Sequence, residues 1–269
     1  MKLYLDPGHG GNDPGASGNG LKEKNVVLDI ALRIHDIITA NYEDVDVRMS
    51  RTGDSTKSLK QRTDGANVWG ADYFLSIHCN AFNGAANGYE DFIHNSLSDN
   101  SQTARYQDIL HDEITKVNQL RNRGQKKANF HVLRESNMPA FLSENGFIDY
   151  SGDAALMKQN TWKQNVAQGH VNGLARAFNL KHRESSSVSG NMYQVIAGSF
   201  SSNKNADEHV LFIQSKGIDA FVVSATISGH YWYRVQAGAF ENRKRADSHV
   251  RSLKNIGVDA FIVANEQPQ

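Results

Sequence analysis

The chain is expected to be an α/β protein, a mostly parallel sheet flanked by helices, followed by a small α+β ferredoxin-like βαββαβ module. Two observations predict this. Over the first 180 residues, short apolar runs bounded by Gly, Pro and Asn alternate with segments whose apolar residues recur every three or four positions. Beyond a polar stretch the sequence repeats itself: residues 193–223 align without gaps to 233–263, with 15 identities in 31 positions.

Residues 2–5 (KLYL) read as a strand closed by Pro7-Gly8. From 22 to 40, Val26, Val27, Ile30, Ala31, Ile34, Ile37 and Ile38 make one apolar helical face. Val45 and Val47 mark a second strand, and residues 59–68 a helix that runs out before Gly70. Residues 71–80 (ADYFLSIHCN), rich in aromatic and aliphatic side chains and followed by the Asn83-Gly84 turn, read as a buried central strand. Strands at 88–94, 130–133 and 140–143 and helices at 103–117 and 161–178 complete a domain over residues 1–180. The stretch 181–191 (KHRESSSVSGN) has nothing to bury and reads as a linker. The two repeats then form one module over 192–266. Each copy reads strand, helix, Gly turn, strand, and two such units share a sheet and bury one face of both helices.

Charge narrows the function. Lys plus Arg (29) equals Asp plus Glu (29), so the overall positive field that nucleic acid or an anionic membrane selects is absent. No apolar run is long enough for a membrane span, and MKLYLDPGHGG lacks the apolar stretch of a secretory signal. Synthesis in the cytoplasm is therefore expected. Cys79 is the single cysteine, which rules out an intrachain disulfide.

Four polar residues at the ends of apolar runs stand out: His9, Glu23, His78 and Glu144. Two imidazoles and a carboxylate are a common catalytic ligand set for Zn2+, and a further carboxylate can act as base on a water. His9 sits in Asp6-Pro7-Gly8-His9-Gly10-Gly11, just past the first strand, where open α/β sheets place their sites. The glycine spacing fits neither the dinucleotide nor the Walker pattern. Glu23 opens the long helix, where the helix dipole favours a carboxylate with or without a metal. Asp6 and Asp13 compete with it as acidic groups; Asp6 is the better suited to orient His9 by a hydrogen bond, and Asp13 lies in a loop. His78 shares a strand face with Ser76 and Asn80, so Cys79 points away as a small buried apolar group. Glu144 leaves an apolar strand, where desolvation raises a carboxyl pKa and suits it to acid/base work, with Arg134 as an alternative partner.

These motifs, together with Asp13-Pro14-Gly15-Ala16, Ser50-Arg51-Thr52, Arg62, Ala66-Asn67, Ala71-Asp72 and Pro139 through Phe147, resemble the zinc-dependent N-acetylmuramoyl-L-alanine amidases of the type-3 amidase family. The resemblance covers the whole first domain. It implies His9, Glu23 and His78 as zinc ligands, Glu144 as the catalytic glutamate, and cleavage of the amide between N-acetylmuramic acid and the L-alanine of the stem peptide. Ser50 stands where many relatives carry Thr, and Arg51 is kept. The repeats resemble the SPOR module, which implies peptidoglycan binding, with Gln194, Gln236 and Tyr233 as candidate contacts. The pairing is similar to mother-cell lytic amidases of spore formers and to prophage enzymes, which implies action on the cell wall after lysis or release. A zinc peptidase cutting stem-peptide bonds and an inactive wall-binding or regulatory protein are the rival readings.

Overall fold

A computed structural model describes residues 1–183, 192–227 and 230–264. It contains two compact units, the first being Met1–Arg183. Residues 184–191, which hold most of the expected linker, lie outside the described residues.

The first unit runs β1 (Lys2–Pro7), β2 (Ser17–Gly18), β3 (Leu21–Lys22), α1 (Glu23–Asn41), β4 (Asp46–Met49), α2 (Leu59–Trp69), β5 (Tyr73–Asn80) and β6 (Tyr89–His94). It continues with α3 (Gln102–Thr115), β7 (Asn122–Ala128), α4 (His131–Arg134), β8 (Ala140–Phe147), α5 (Ser151–Met157) and α6 (Asn160–Phe178). Six strands form one sheet in the order β4-β1-β5-β8-β6-β7. The first four are parallel; β6 runs antiparallel to β8, and β7 parallel to β6. Helix α1 connects the parallel neighbours β1 and β4, and α2 returns the chain from β4 to β5 on the other side of β1, as long connections between parallel strands require.

Side-chain alternation gives β1, β5 and β8 two apolar faces. Leu3, Leu5, Tyr73, Leu75, Ile77, Cys79 and Phe141 pack against α1, α3 and α6 in the larger core. Tyr4, Phe74, Ala140 and Leu142 pack on the other face against Ala66 of α2 and Val132 and Leu133 of α4. Continuing along that second face toward the carboxyl ends of β1, β5 and β8, the residues turn polar: Asp6, Ser76, His78 and Glu144. The site begins where the apolar packing stops.

Three expectations need correction. Residues 130–133 are not a strand: Phe130 caps the one-turn helix α4, whose adjacent Val132 and Leu133 both reach the same core, as neighbours in a strand cannot. The outer strand is instead Asn122–Ala128, a run (NRGQKKA) without apolar alternation, because its cations lie over neighbouring side chains instead of in a core. Helix α5, with buried Asp153, Ala154 and Met157, was not expected at all. Asp153 Oδ2 accepts from the Gly88 and Phe147 amides, so this helix ties the end of β8 to the start of β6.

The second unit is β9 (Tyr193–Phe200), α7 (Asn203–Ser215), β10 (Phe221–Ile227), β11 (His230–Phe240), α8 (Arg243–Asn255) and β12 (Phe261–Ala264). Its sheet has the order β10-β11-β9-β12, all antiparallel, which is the expected ferredoxin-like arrangement. Val195, Ala197, Val235 and Ala237 pack under the two helices with Ala206, Ile213, Ala246 and Leu253. Tyr233 packs against this core, paired with Phe200, and so lies on the face opposite Gln194 and Gln236. It is not part of the contact surface proposed with them.

His170, on α6, is fully buried and joins two layers. Its Nδ1 bonds to Val166 O at 2.8 Å and its Nε2 to Ser143 Oγ of β8 at 3.0 Å, so the neutral ring donates through Nδ1 and accepts through Nε2. Burial pushes its pKa down to about 4, only partly offset by the Val166 bond. Because the unfolded chain takes up this proton near pH 6.5 and the folded one only near 4, stability from the neutral ring is complete above 6.5. It is lost as pH falls across that window, by about 3 kcal/mol. Urea unfolding of wild type and His170→Leu should therefore show a stability difference that shifts in favour of the variant by about this amount between pH 7 and pH 4; a pH-independent difference would contradict it.

Candidate metal centre

Chain path and two arginines bring the site together. Past β1 the backbone passes His9 in the left-handed region (φ 58°), a conformation a non-glycine residue holds only under constraint. Arg62 supplies part of that constraint. Its Nη2 donates to His9 O at 2.6 Å, and its Nη1 to Pro7 O at 2.8 Å and to Asp6 Oδ1 at 2.7 Å. Arg51 donates to Pro7 O, Gly8 O and Lys24 O at 2.7–3.0 Å. Both guanidiniums are 3% exposed, so they act as internal clamps on the loop and not as surface charges.

Glu23 sits in the first turn of α1, delivered by the short β2–β3 pair. Its backbone amide donates to Ala16 O, and its Oε2 accepts from the Ala16 amide at 2.8 Å. The carboxylate is 3% exposed and lies between the two imidazoles: Oε2 is 3.1 Å from His9 Nε2, and Oε1 is 2.9 Å from His78 Nδ1. Oε1 also accepts from the Cys79 amide at 3.0 Å. The His9 and His78 rings stand nearly perpendicular, centroids 4.9 Å apart. Candidate ligand atoms of His9, Glu23 and His78 all fall within 4.8 Å of one another. Two glycines make room. A Cβ on Gly8 would lie 2.2 Å from His78 Cε1, and one on Gly15 would lie 2.6 Å from both Glu23 Oε2 and His9 Cδ2.

The charges are mutually dependent. Burial raises the Glu23 pKa, but the hydrogen bonds and charges of His78 and His9 overcome it and hold the carboxyl far below its usual range. Burial likewise disfavours protonated His9, yet Glu23 and Asp13 reverse this and raise its pKa. An anionic carboxylate between two imidazoles is the donor set that suits Zn2+, so the residues fit such an ion.

Glu144 lies inside β8, which continues to Phe147 and does not end at residue 143 as expected. It is the direct cross-strand neighbour of His78 on one side and Glu90 on the other. Its Oε2 is buried and meets no hydrogen-bond partner among the described residues. Burial, then the Glu23 and Glu90 charges, push its carboxyl pKa well up. Arg134 is not its partner: that side chain bonds to Glu135 and Asn129. Cys79 is buried on the opposite face, as expected, with its thiol pKa raised by burial first.

The partner of His9 is the main correction at the site. Asp6 does not touch the imidazole; it is fully buried and bonds to Arg62 and to Ser76 Oγ. Asp13 Oδ2 instead bonds to His9 Nδ1 at 2.8 Å, while its Oδ1 accepts from the Gly15 amide. Asp6 thus acts at one remove, holding the arginine that holds the His9 backbone. Asn145 was also missed; it donates to His78 O at 3.1 Å and to Ser143 Oγ at 3.0 Å, linking the site to His170.

The two aspartates should separate experimentally. Asp6→Ala strands a buried guanidinium and should cost about 3–5 kcal/mol in urea unfolding. Asp13→Ala should leave stability within about 1 kcal/mol but weaken zinc affinity by about 10–100-fold, measured by competition with a chromogenic chelator.

Comparison with known proteins gives the family of this fold. The family model described as N-acetylmuramoyl-L-alanine amidase matches residues 3–176, and the SPOR domain model matches residues 183–264. The chain is 48% identical over 223 residues to N-acetylmuramoyl-L-alanine amidase CwlM of Bacillus licheniformis, covering 83% of this chain and 85% of that one. It is 47% identical over 223 residues to the sporulation-specific N-acetylmuramoyl-L-alanine amidase of Bacillus subtilis, covering 83% and 84%. Among solved structures, the catalytic domain of CwlV, an N-acetylmuramoyl-L-alanine amidase from Bacillus (Paenibacillus) polymyxa, superposes with a TM-score of 0.63 at 31% identity, over 67% of this chain and 99% of that one. With a family model matched over 3–176 and three convergent metal-type donors beside the end of its sheet, the chain belongs to the N-acetylmuramoyl-L-alanine amidase family.

Proposed function

We propose that the chain is a zinc-dependent peptidoglycan hydrolase that cleaves the amide between N-acetylmuramic acid and L-alanine, with His9, Glu23 and His78 holding the ion and Glu144 as the acid/base. The observation that carries this reading is the placement of an orphaned, proton-avid carboxyl beside a cluster of three convergent donors. Bound there, zinc supplies a Lewis acid, which polarises a carbonyl and lowers the pKa of water.

The chain's own residues do the rest. Glu144 takes a proton from the attacking water and passes it to the nitrogen of the departing L-alanine, without which the amine is a poor leaving group. Its raised proton affinity suits a group that must first accept a proton and then release it. Asp13 fixes the ring of His9 through Nδ1, and Glu23, already anionic and buried, holds its two oxygens in place through the Ala16 and Cys79 amides. Little reorganisation then remains when the ion and substrate arrive.

The second unit supports attachment to the wall. Phe221, Gln236, Ile196 and Phe261 lie in one row across its sheet, on the face away from the helices. Phe221 is 52% and Phe261 47% exposed, two aromatic faces on which sugar rings stack. Gln194 and Gln236 add hydrogen-bonding groups to the same face. Among the described residues no helix is long and apolar enough to cross a membrane. The sporulation-specific relative supports a role in lysis of the wall during sporulation.

Digestion of purified peptidoglycan followed by mass spectrometry tests the reaction. Stem peptides released with an intact N-terminal L-alanine are expected; fragments cut within the peptide would instead establish a peptidase. Glu144→Gln should lose about 10²–10⁴-fold in rate while still binding zinc, and unchanged hydrolysis would remove Glu144 from the mechanism. Truncation after Arg183 should leave cleavage of soluble muropeptides intact and weaken sedimentation with whole walls by about tenfold or more.

A further inference from the structure

The polar face of the sheet continues past Glu144 across two more strands. His78, Glu144 and Glu90 are successive cross-strand neighbours on β5, β8 and β6. On β7 the register slips between Asn122 and Gln125, around Gly124 with φ +84°. That irregularity brings both Arg123 and Lys126 onto Glu90: Arg123 Nε donates to Glu90 Oε2 at 2.7 Å, and Lys126 Nζ donates to the same oxygen. Asn80, two residues past His78, donates to Glu90 Oε1 at 2.9 Å.

We propose that Arg123, supported by Lys126, forms an anion subsite that receives a carboxylate of the stem peptide on the leaving-amine side of the scissile bond. This rests on the amidase reading above. Three features argue for a ligand and not for a structural ion pair alone. First, one cation neutralises a buried carboxylate, and here two bond to Glu90, which is 5% exposed, so Arg123 and Lys126 carry one positive charge more than Glu90 itself balances. Second, the guanidinium is preorganised. Glu90 grips its Nε edge, its Cζ lies 4.8 Å over the Phe147 ring, and Nη1 reaches Asn87 O at 3.3 Å. Among the described residues Nη2 meets no acceptor, which leaves part of the fork open for a carboxylate. Third, Arg123 is 28% and Lys126 37% exposed, so a ligand lying along this face of the sheet can reach them.

The chemistry of the substrate selects the occupant. The acetylated glycan is uncharged, whereas the stem peptide bears carboxylates. A carboxylate on the residue after L-alanine lies about 7 Å from the reacting carbonyl in extended chain, at about 3.5 Å per residue. Strand β7 lies about 10 Å from β8, two strand spacings, and Arg123 reaches back over β6 toward it. The peptide then crosses β6 with its L-alanine nitrogen near Glu144.

The test compares two synthetic N-acetylmuramoyl-L-alanyl peptides that differ only in a carboxylate or a carboxamide on the residue after L-alanine. Wild type should favour the carboxylate by about tenfold or more in kcat/KM, the scale of one charge-assisted hydrogen bond. In Arg123→Gln that ratio should collapse toward one, and Arg123→Lys should restore part of it. Lys126→Gln, which leaves the Arg123–Glu90 pair in place, should lower the ratio by a smaller factor. Equal rates on both substrates in wild type overturn the subsite while leaving the amidase reading standing. So does a folded Arg123→Gln with the wild-type ratio. Cleavage of neither substrate overturns the amidase reading, and the subsite with it.

Discussion

The buried carboxylate of Glu23 is the interaction around which the site is organised. A lone ionised carboxyl at 3% exposure is costly, and it is maintained here because two imidazoles and two backbone amides converge on its oxygens. Each partner comes from a different part of the chain: His9 from the loop after β1, Ala16 from the turn before β2, His78 and Cys79 from β5. Glu23 therefore links the two imidazoles, each of which bonds to one of its oxygens.

A second layer of buried charge holds the first. Between them Arg51 and Arg62 bond to the backbone carbonyls of Pro7, Gly8 and His9, where β1 gives way to the loop. Charge-assisted bonds to main-chain oxygens restrain a loop whose residue 9 sits in an unfavourable backbone conformation. Asp6 and Ser76 keep the Arg62 charge paired. The sheet contributes by position: its apolar face becomes polar toward the carboxyl ends of β1, β5 and β8, so the same alternation that builds the core also delivers Asp6, His78 and Glu144.

Much of this was legible in the sequence because periodicity and local chemistry agree there. The seven apolar positions between 26 and 38 specify α1, and the run 71–80 specifies β5 and sends Cys79 away from His78. The repeat predicts the second sheet by its self-similarity. Other features were hidden for physical reasons. Strand β7 carries no apolar alternation, since its side chains pair with Glu90 and cover aromatic rings at the sheet margin. Val132 and Leu133 read equally as strand or helix over so short a run. The choice between Asp6 and Asp13 as partner of His9 depends on the left-handed turn at residue 9, beyond which the ring bonds to Asp13. Arg123 gave no signal at all, because its meaning comes from a cross-strand carboxylate 33 residues away.

Metal content tests the organising role of Glu23 most directly. Wild-type protein and Glu23→Gln, equilibrated with zinc and passed through a desalting column, should differ completely: one zinc per chain in wild type and essentially none in the variant, as measured by atomic emission. Full metal occupancy in a folded Glu23→Gln, or wild-type hydrolysis that persists after exhaustive chelation, would contradict it.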